Sequence, residues 1–271
     1  MLQKTRLIAT LAFTVVTTCS LAHAESCEQI MGSKGLGLNY TTLKSTLLQV
    51  VPANSTSTTP NGGLGFPMWL TLVDGSGRVC AVVTSLDGSA KNADVTADIW
   101  LGSRIISAQK ANTANSFATG KLSLSTANLY AAVQPGGSLY GLQASNPVDA
   151  LEAYQGRASD FGTQWDPLVG IRIGGVNVFG GGLALYYHGH KVGALGVSGD
   201  TSCTDHVVAW KVRNLLGGAT VPPFGAFDKM IQDITVDPTT GLITKASASG
   251  FGHPTCLNNP TPANDGGSIV H

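Results

Sequence analysis

Residues 174–217, GGVNVFGGGLALYYHGHKVGALGVSGDTSCTDHVVAWKVRNLLG, contain the clearest structural pattern in the chain. Apolar residues alternate with small or polar ones on both sides of His188-Gly189-His190, as in two antiparallel strands joined by a glycine turn. The polar residues from Ser198 to Ser202 offer N-caps for a helix whose apolar positions recur at helical spacing until Gly217. We therefore expect a strand, a strand and a helix in this order.

Three consecutive glycines, Gly180, Gly181 and Gly182, precede these two strands. Residues without a Cβ let the backbone approach another backbone, or a ligand, more closely than other residues do. The three glycines are therefore candidates for a binding site.

The rest of the chain predicts further helices and one more hairpin. Helical spacing of leucines predicts a helix over residues 40–51, and turn residues at 74–77 predict a hairpin over 68–85. Apolar stripes predict helices over 94–119 and 125–133. The resulting order is a helix, two strands, two helices, three strands and a helix. It predicts an α+β fold with a mostly antiparallel sheet covered by helices.

Several of these motifs resemble the GlcG/HbpS family of haem-binding-like proteins. Gly174 to Val178, followed by Lys191 to Asp200 and a helix, resembles the closing half of that family, and Val73 to Gly77 resembles its V-D-x-x-G hairpin. Lys110 to Ala114 resembles its K-A-x-T-A helix. The resemblance covers about residues 40–217 and implies a profilin-like (GlcG-like) fold, haem as cofactor and a homo-oligomer.

The resemblance also suggests which residues contact haem. Lys110 and Thr113 share one helix face, so Lys110 is expected to meet an anionic group such as a propionate, with Thr113 beside it. A solvated surface lysine is the alternative. His206 follows Cys203 by three residues, and His253 precedes Cys256 by three. These two histidines are the first pair to test.

Other chemistry has little support. The sequence contains no G-x-S-x-G, P-loop, dinucleotide or H-E-x-x-H motif, so no catalytic residue is assigned. His188 and His190 would share a strand face and bind a metal if Gly189 were extended, but a turn is the alternative. Because C-x-x-C-H is absent, any haem is expected to be non-covalent.

Residues 1–24 have the layout of a signal peptide. Lys4 and Arg6 precede an apolar run from Leu7 to Val16, and Ala22-His23-Ala24 supplies small residues before the expected cleavage site. We therefore expect a bacterial periplasmic or secreted protein, and no later run is long enough for a membrane span. With 16 basic and 16 acidic residues, no charge excess favours nucleic acid as a partner.

Four cysteines remain after such cleavage, namely Cys27, Cys80, Cys203 and Cys256. An even number in an exported protein predicts two disulfides, for which three pairings exist. We favour Cys27 with Cys80 and Cys203 with Cys256, because each bond would tie a terminal segment to an adjacent core element.

We therefore expect a signal peptide over residues 1–24, a GlcG/HbpS-like domain over 25–218 with an insertion near 139–167, and a C-terminal extension over 219–271 packed on the same domain. The expected function is haem binding or sequestration in the cell envelope. One alternative is a small-molecule enzyme using a pocket at the glycine-rich hairpin. Another is a non-catalytic oligomeric envelope or stress protein.

Overall fold

The computed structural model describes residues 27–32, 36–52, 61–86, 95–217, 228–256 and 269–270, so the expected signal peptide lies outside it. The helices are α1 (Cys27–Met31), α2 (Tyr40–Val50), α3 (Val95–Asp98), α4 (Gly102–Ser116), α5 (Tyr130–Val133), α6 (Leu142–Ser145), α7 (Ala150–Ala153) and α8 (Ser202–Leu215). The strands are β1 (Trp69–Asp74), β2 (Val79–Thr84), β3 (Gly182–Tyr187), β4 (His190–Ser198), β5 (Met230–Ile231), β6 (Thr235–Val236), β7 (Ile243–Lys245) and β8 (Ile269–Val270).

The central element is a four-stranded antiparallel sheet in the order β2-β1-β4-β3. Two hairpins form it, and both were expected from their turn residues. The β3–β4 hairpin turns tightly, with Tyr187 paired to His190. Strand β4 then lies against β1, so that Leu72 pairs with Leu195. The predicted α+β class and mostly antiparallel sheet are confirmed.

Helices cover both faces of the sheet, and every residue of β1 and β2 is therefore buried. Alternation along β1 sends Leu70 and Leu72 into a core shared with α2 and α8. Trp69 and Val73 point to the opposite face and join a second core formed with α4. The molecule therefore has three layers, with α4 on one side of the sheet and α2 and α8 on the other.

Two sequence expectations differ from the structure. Only two of the three strands expected in the second half form, because residues 175–179 are not a strand. Their backbone bonds to side chains instead: Asn177 N donates to Thr113 Oγ1, and Phe179 N donates to Asn177 Oδ1. In addition, the helix expected over 94–119 is two helices, α3 and α4, separated at residues 99–101.

Residues 139–167, where the sequence predicts an insertion, pack partly against the rest of the structure. A buried ion pair of 2.5 Å joins Arg104 of α4 to Asp166, and the Arg104 guanidinium also lies 3.9 Å from the ring centroid of Phe161. Tyr140, Tyr154 and Trp165 are exposed. This segment therefore covers the α4 core and also presents aromatic side chains to solvent, and its status as an insertion stays a prediction.

Residues 228–256 also contact the domain. Arg213 Nη1 lies 2.6 Å from Asp228 Oδ2, and the small strands β6 and β7 form a hairpin. The predicted domain boundary near residue 218 stays a prediction, since residues 218–227 are outside the described ranges. Within those ranges, no helix has the length and apolar character needed to cross a membrane.

Candidate functional site

A buried lysine–aspartate ion pair lies beneath the first turn of α8. Lys110 and Asp205 are 0% and 2% exposed, and Lys110 Nζ lies 2.6 Å from Asp205 Oδ2. The same ammonium donates to the carbonyl oxygen of Val197 over 3.0 Å. Burial lowers the pKa of Lys110 and raises the pKa of Asp205 to about 6, while the charge of each partner opposes the other's shift. Each group is therefore the compensation for burying the other.

Glycines allow Lys110 to reach α8 past the sheet. A Cβ on Gly182 would lie 2.6 Å from the Lys110 carbonyl oxygen, and one on Gly196 would lie 3.1 Å from Lys110 Cβ. A Cβ on Gly181 would lie 3.1 Å from Asp205 Cβ. These glycines thus serve close packing within the protein, and their contact with a ligand stays a prediction.

The start of α8 is fixed by side chains of its own first turn. Thr201 caps the helix by accepting from Thr204 N, and Asp205 Oδ1 accepts from Asp200 N over 3.0 Å. An acidic side chain in the first turn also complements the positive end of the helix dipole. Asp205 therefore joins the helix start to Lys110.

A chain of hydrogen bonds links the glycine run to His253. Gly180 N donates to Ser202 Oγ over 2.7 Å, and Ser202 Oγ lies 2.8 Å from His253 Nε2. His253 Nδ1 lies 2.7 Å from the Pro254 carbonyl oxygen, which can only accept. The proton of the neutral ring therefore belongs on Nδ1, and Nε2 accepts from the Ser202 hydroxyl. Burial lowers the pKa of His253 to about 4, and the charge of Lys110 lowers it further, whereas the Pro254 carbonyl opposes the shift.

Disulfides join Cys27 to Cys80 and Cys203 to Cys256, with Cα–Cα distances of 5.3 and 6.2 Å. This is the pairing that we favoured from the sequence. The second bond holds the segment of His253 against the start of α8. Met230 lies beside it, with its Sδ 3.7 Å from Cys256 Sγ.

The structure brings most of the predicted site residues into one region around the start of α8. His206, fully buried, lies next to Asp205 in sequence, and a Cβ on Gly180 would lie 2.9 Å from His206 Cβ. Thr113 is buried, and its hydroxyl donates to the Gln109 carbonyl and accepts from Asn177 N. Thr113 thus anchors the loop that leads to the glycine run.

His188 and His190 are exposed at the tip of the β3–β4 hairpin, and His188 has a positive φ of 49°. The turn alternative is therefore the one observed. Two groups of three potential metal ligands occur among the residues described, and neither contains these two histidines.

Sequence reasoning did not identify Asp205, Ser202 or Met230. One signal was available for Asp205, because a lysine within an apolar helix stripe requires an acceptor when it is buried. The contact of Met230 with the disulfide joins residues far apart in sequence, and no local pattern predicts it.

No curated protein matches this chain, whereas several solved structures are similar to it. One similar solved structure is Klebsiella pneumoniae ORFY, with 23% identity, a TM-score of 0.40, and a match that covers 66% of this chain and 90% of that chain. Another is a PduOC–haem complex, with 24% identity, a TM-score of 0.41, and a match that covers 67% of this chain and 91% of that chain. A double mutant of Streptomyces reticuli HbpS is also similar, with 15% identity, a TM-score of 0.40, and a match that covers 78% of this chain and 99% of that chain.

The family assignment rests on sequence rather than on these structural likenesses. Residues 64–213, more than half of the chain, match the model described as "Haem degrading protein HbpS-like". The matched range contains the sheet, α4 and nearly all of α8. The protein therefore belongs to the HbpS-like family.

Proposed function

We propose that this protein binds haem without a covalent bond. The observation that supports the proposal is the match of residues 64–213 to the HbpS-like family, whose description refers to haem. That range includes Lys110, Thr113, Gly180–Gly182 and His206 but not His253.

His253 is the axial ligand that the geometry favours. Ligation of haem iron by histidine needs a ring nitrogen with a free lone pair near an opening to solvent. His253 is 7% exposed, whereas His206 is 0% exposed. The Nδ1–H of His253 is bonded to the Pro254 carbonyl, so the Nε2 lone pair of His253 becomes available once Ser202 moves. The ring of Tyr130 lies 5.7 Å from the His253 ring and would add aromatic contact area.

Lys110 and Thr113 remain proposed contacts of a haem propionate. The Lys110 ammonium already holds the Asp205 carboxylate at 2.6 Å, so a propionate would have to replace that carboxylate. A haem contact at Gly180–Gly182 would likewise need the chain to open, because a Cβ on each of these glycines would collide with a neighbouring protein atom.

Titration of the purified protein with haemin tests the proposal. We expect a Soret shift that saturates near one equivalent. His253→Gln should weaken binding at least tenfold and change the spectrum of the bound haem. The control is the double variant His188→Gln/His190→Gln, which removes two exposed histidines and should bind as the wild type does.

A titration without a saturable shift would refute haem binding. Normal binding by His253→Gln together with loss in His206→Gln would instead move the axial ligand to α8. Loss only in the hairpin variant would place the ligand at His188 or His190. Far-UV circular dichroism of each variant verifies that it is folded.

We further propose that the protein is exported and forms a homo-oligomer. The two disulfides support export, because such bonds persist in oxidising compartments. The exposed Leu151, Tyr154 and Trp165 support self-association. A mature N-terminus at Glu25 and a light-scattering mass above that of one chain are the expected results.

A further inference from the structure

Four soft or borderline metal ligands converge where the segment of residues 228–256 meets α8. They are the sulfur atoms of Cys203, Cys256 and Met230 and a ring nitrogen of His253. We propose that reduction of the Cys203–Cys256 disulfide by a dithiol converts this corner into a binding site for one monovalent copper ion. The proposal does not rest on haem binding.

Three of the ligand atoms already lie near one another, and the fourth lies beside one of the three. Those of Cys203, His253 and Cys256 all lie within 4.8 Å of one another, and Met230 Sδ lies 3.7 Å from Cys256 Sγ. Ligands around a tetrahedral ion with bonds of about 2.3 Å are about 3.7 Å apart. The two cysteine sulfurs must separate from about 2 Å to about 3.7 Å when their bond is broken.

The kinds of ligand select the ion. Thiolate and thioether sulfur favour monovalent copper, whereas zinc sites use thiolate, imidazole and carboxylate but not thioether. Met230 is fully buried and packs with Ala127 and Val207, so its thioether faces the cysteines in an apolar setting. Monovalent copper therefore fits all four ligands, and zinc only three.

His253 is held in the orientation that ligation requires. Its Nδ1–H donates to the Pro254 carbonyl, the kind of outer contact that fixes the tautomer of metal-binding histidines. Nε2 then points to Ser202 Oγ, 2.8 Å away, on the first turn of α8 next to Cys203. Because Oγ occupies the direction in which a metal ion would bind, the Ser202 side chain must change rotamer to open this lone pair, and Gly180 N then loses its acceptor.

The redox step balances with the dithiol as reductant. The dithiol loses two electrons and two protons and becomes a disulfide, and the Cys203–Cys256 bond becomes two thiols. Binding of Cu⁺ then releases both thiol protons and leaves a site with two thiolates, one imidazole and one thioether. The copper ion does not change its oxidation state.

The Cys27–Cys80 pair provides an internal control. Its third potential ligand is Asp74, whose Oδ2 lies 3.8 Å from Cys27 Sγ. A carboxylate is a hard ligand that suits monovalent copper poorly. Both pairs have the same sequence separation of 53 residues, so they close loops of equal length.

The test uses the haem-free chain beginning at Glu25, which lacks Cys19, in the background Cys27→Ser/Cys80→Ser. The protein is reduced with dithiothreitol, freed of reductant without oxygen, and titrated with Cu⁺ held by the coloured chelator bicinchoninate. We expect one equivalent to transfer to the reduced protein and none to the oxidised protein. Met230→Leu, which conserves volume, and His253→Gln should each weaken Cu⁺ binding at least tenfold. Met230→Leu should leave Zn²⁺ affinity unchanged.

Several results would overturn the proposal. One is equal Cu⁺ affinity in the reverse background, Cys203→Ser/Cys256→Ser, where only the other pair remains. Another is Cu⁺ binding that is unaffected by Met230→Leu and His253→Gln, which would reflect two thiols alone. A third is a reduced protein that binds Cu⁺ only after losing its folded circular dichroism spectrum.

Discussion

The ion pair between Lys110 and Asp205 is the residue-scale feature on which the packing of α8 depends. Both side chains are almost completely buried, and their charged atoms are 2.6 Å apart. A buried pair of this kind contributes little net stability, but removing one partner leaves an uncompensated charge. The two residues should therefore behave very differently when changed singly and together.

Lys110→Met should lower the free energy of unfolding at pH 7 by about 4 kcal/mol, since it leaves the Asp205 carboxylate unpaired. The double variant Lys110→Met/Asp205→Leu should lose much less, because no charge remains buried. Urea unfolding of the wild type, both single variants and the double variant completes the cycle. A double variant as unstable as the sum of the single variants would show that the pair is not coupled.

His253 should make the stability of the protein depend on pH. Its folded pKa of about 4 lies below the ordinary 6.5, so the unfolded chain takes up a proton first as the pH falls. The stability from this group is therefore present above pH 6.5 and is lost towards pH 4, by about 3 kcal/mol in total. Asp205 has the opposite effect on stability. Its folded pKa of about 6 lies above the ordinary 3.8, so its contribution to stability grows as the pH falls from about 6 to 3.8.

The His253 contribution is separated by comparing His253→Gln with the wild type. As the pH falls from 7 to 4, the stability difference should shift by about 3 kcal/mol in favour of the variant, since only the wild type loses the histidine contribution. Urea unfolding at several pH values measures the shift. A difference that does not change with pH would mean that His253 titrates alike in the folded and unfolded chains.

At the scale of single elements, the close contact of α4 with the sheet depends on glycine. A methyl group on Gly196 would collide with the Ser107 carbonyl oxygen of α4. Gly196→Ala should therefore lower stability by about 3 kcal/mol, the upper range for overpacking. Gly120→Ala is the matched control, because nothing lies within 4 Å of a Cβ there and its stability should hardly change. Thermal melts of both variants decide, and equal melting temperatures would contradict the packing argument.

The elements that sequence predicted well are those set by local chemistry. Turn residues fix the β1–β2 and β3–β4 hairpins, and helical spacing with a threonine cap fixes α8. Residues 175–179 resemble a strand but are held by Thr113, which lies more than sixty residues earlier in the chain. The same limit applies to the site: Lys110 was recognisable from its motif, but Asp205 and Met230 become partners only through the fold.

At the scale of the whole molecule, two disulfides close loops of equal length at opposite ends of the chain. Each bond has a sequence separation of 53, for which the chain-entropy model gives about 4 kcal/mol. Loss of either bond should thus cost a similar amount through the unfolded state. Any difference between the two must come from native contacts that only one bond secures.

The Cys203–Cys256 bond should have the larger local effect, because it ties residues 228–256 to α8. Without it, that segment is held by polar contacts such as Arg213–Asp228 and Ser202–His253. The variant Cys203→Ser/Cys256→Ser should therefore be cleaved within residues 228–256 by a protease well before the domain unfolds. In Cys27→Ser/Cys80→Ser the same segment should resist cleavage as in the wild type, although the melting temperature falls by a similar amount. Mass spectrometry of the early fragments distinguishes the two variants, and equal resistance of residues 228–256 in both would show that the remaining polar and apolar contacts hold the segment on α8 without the bond.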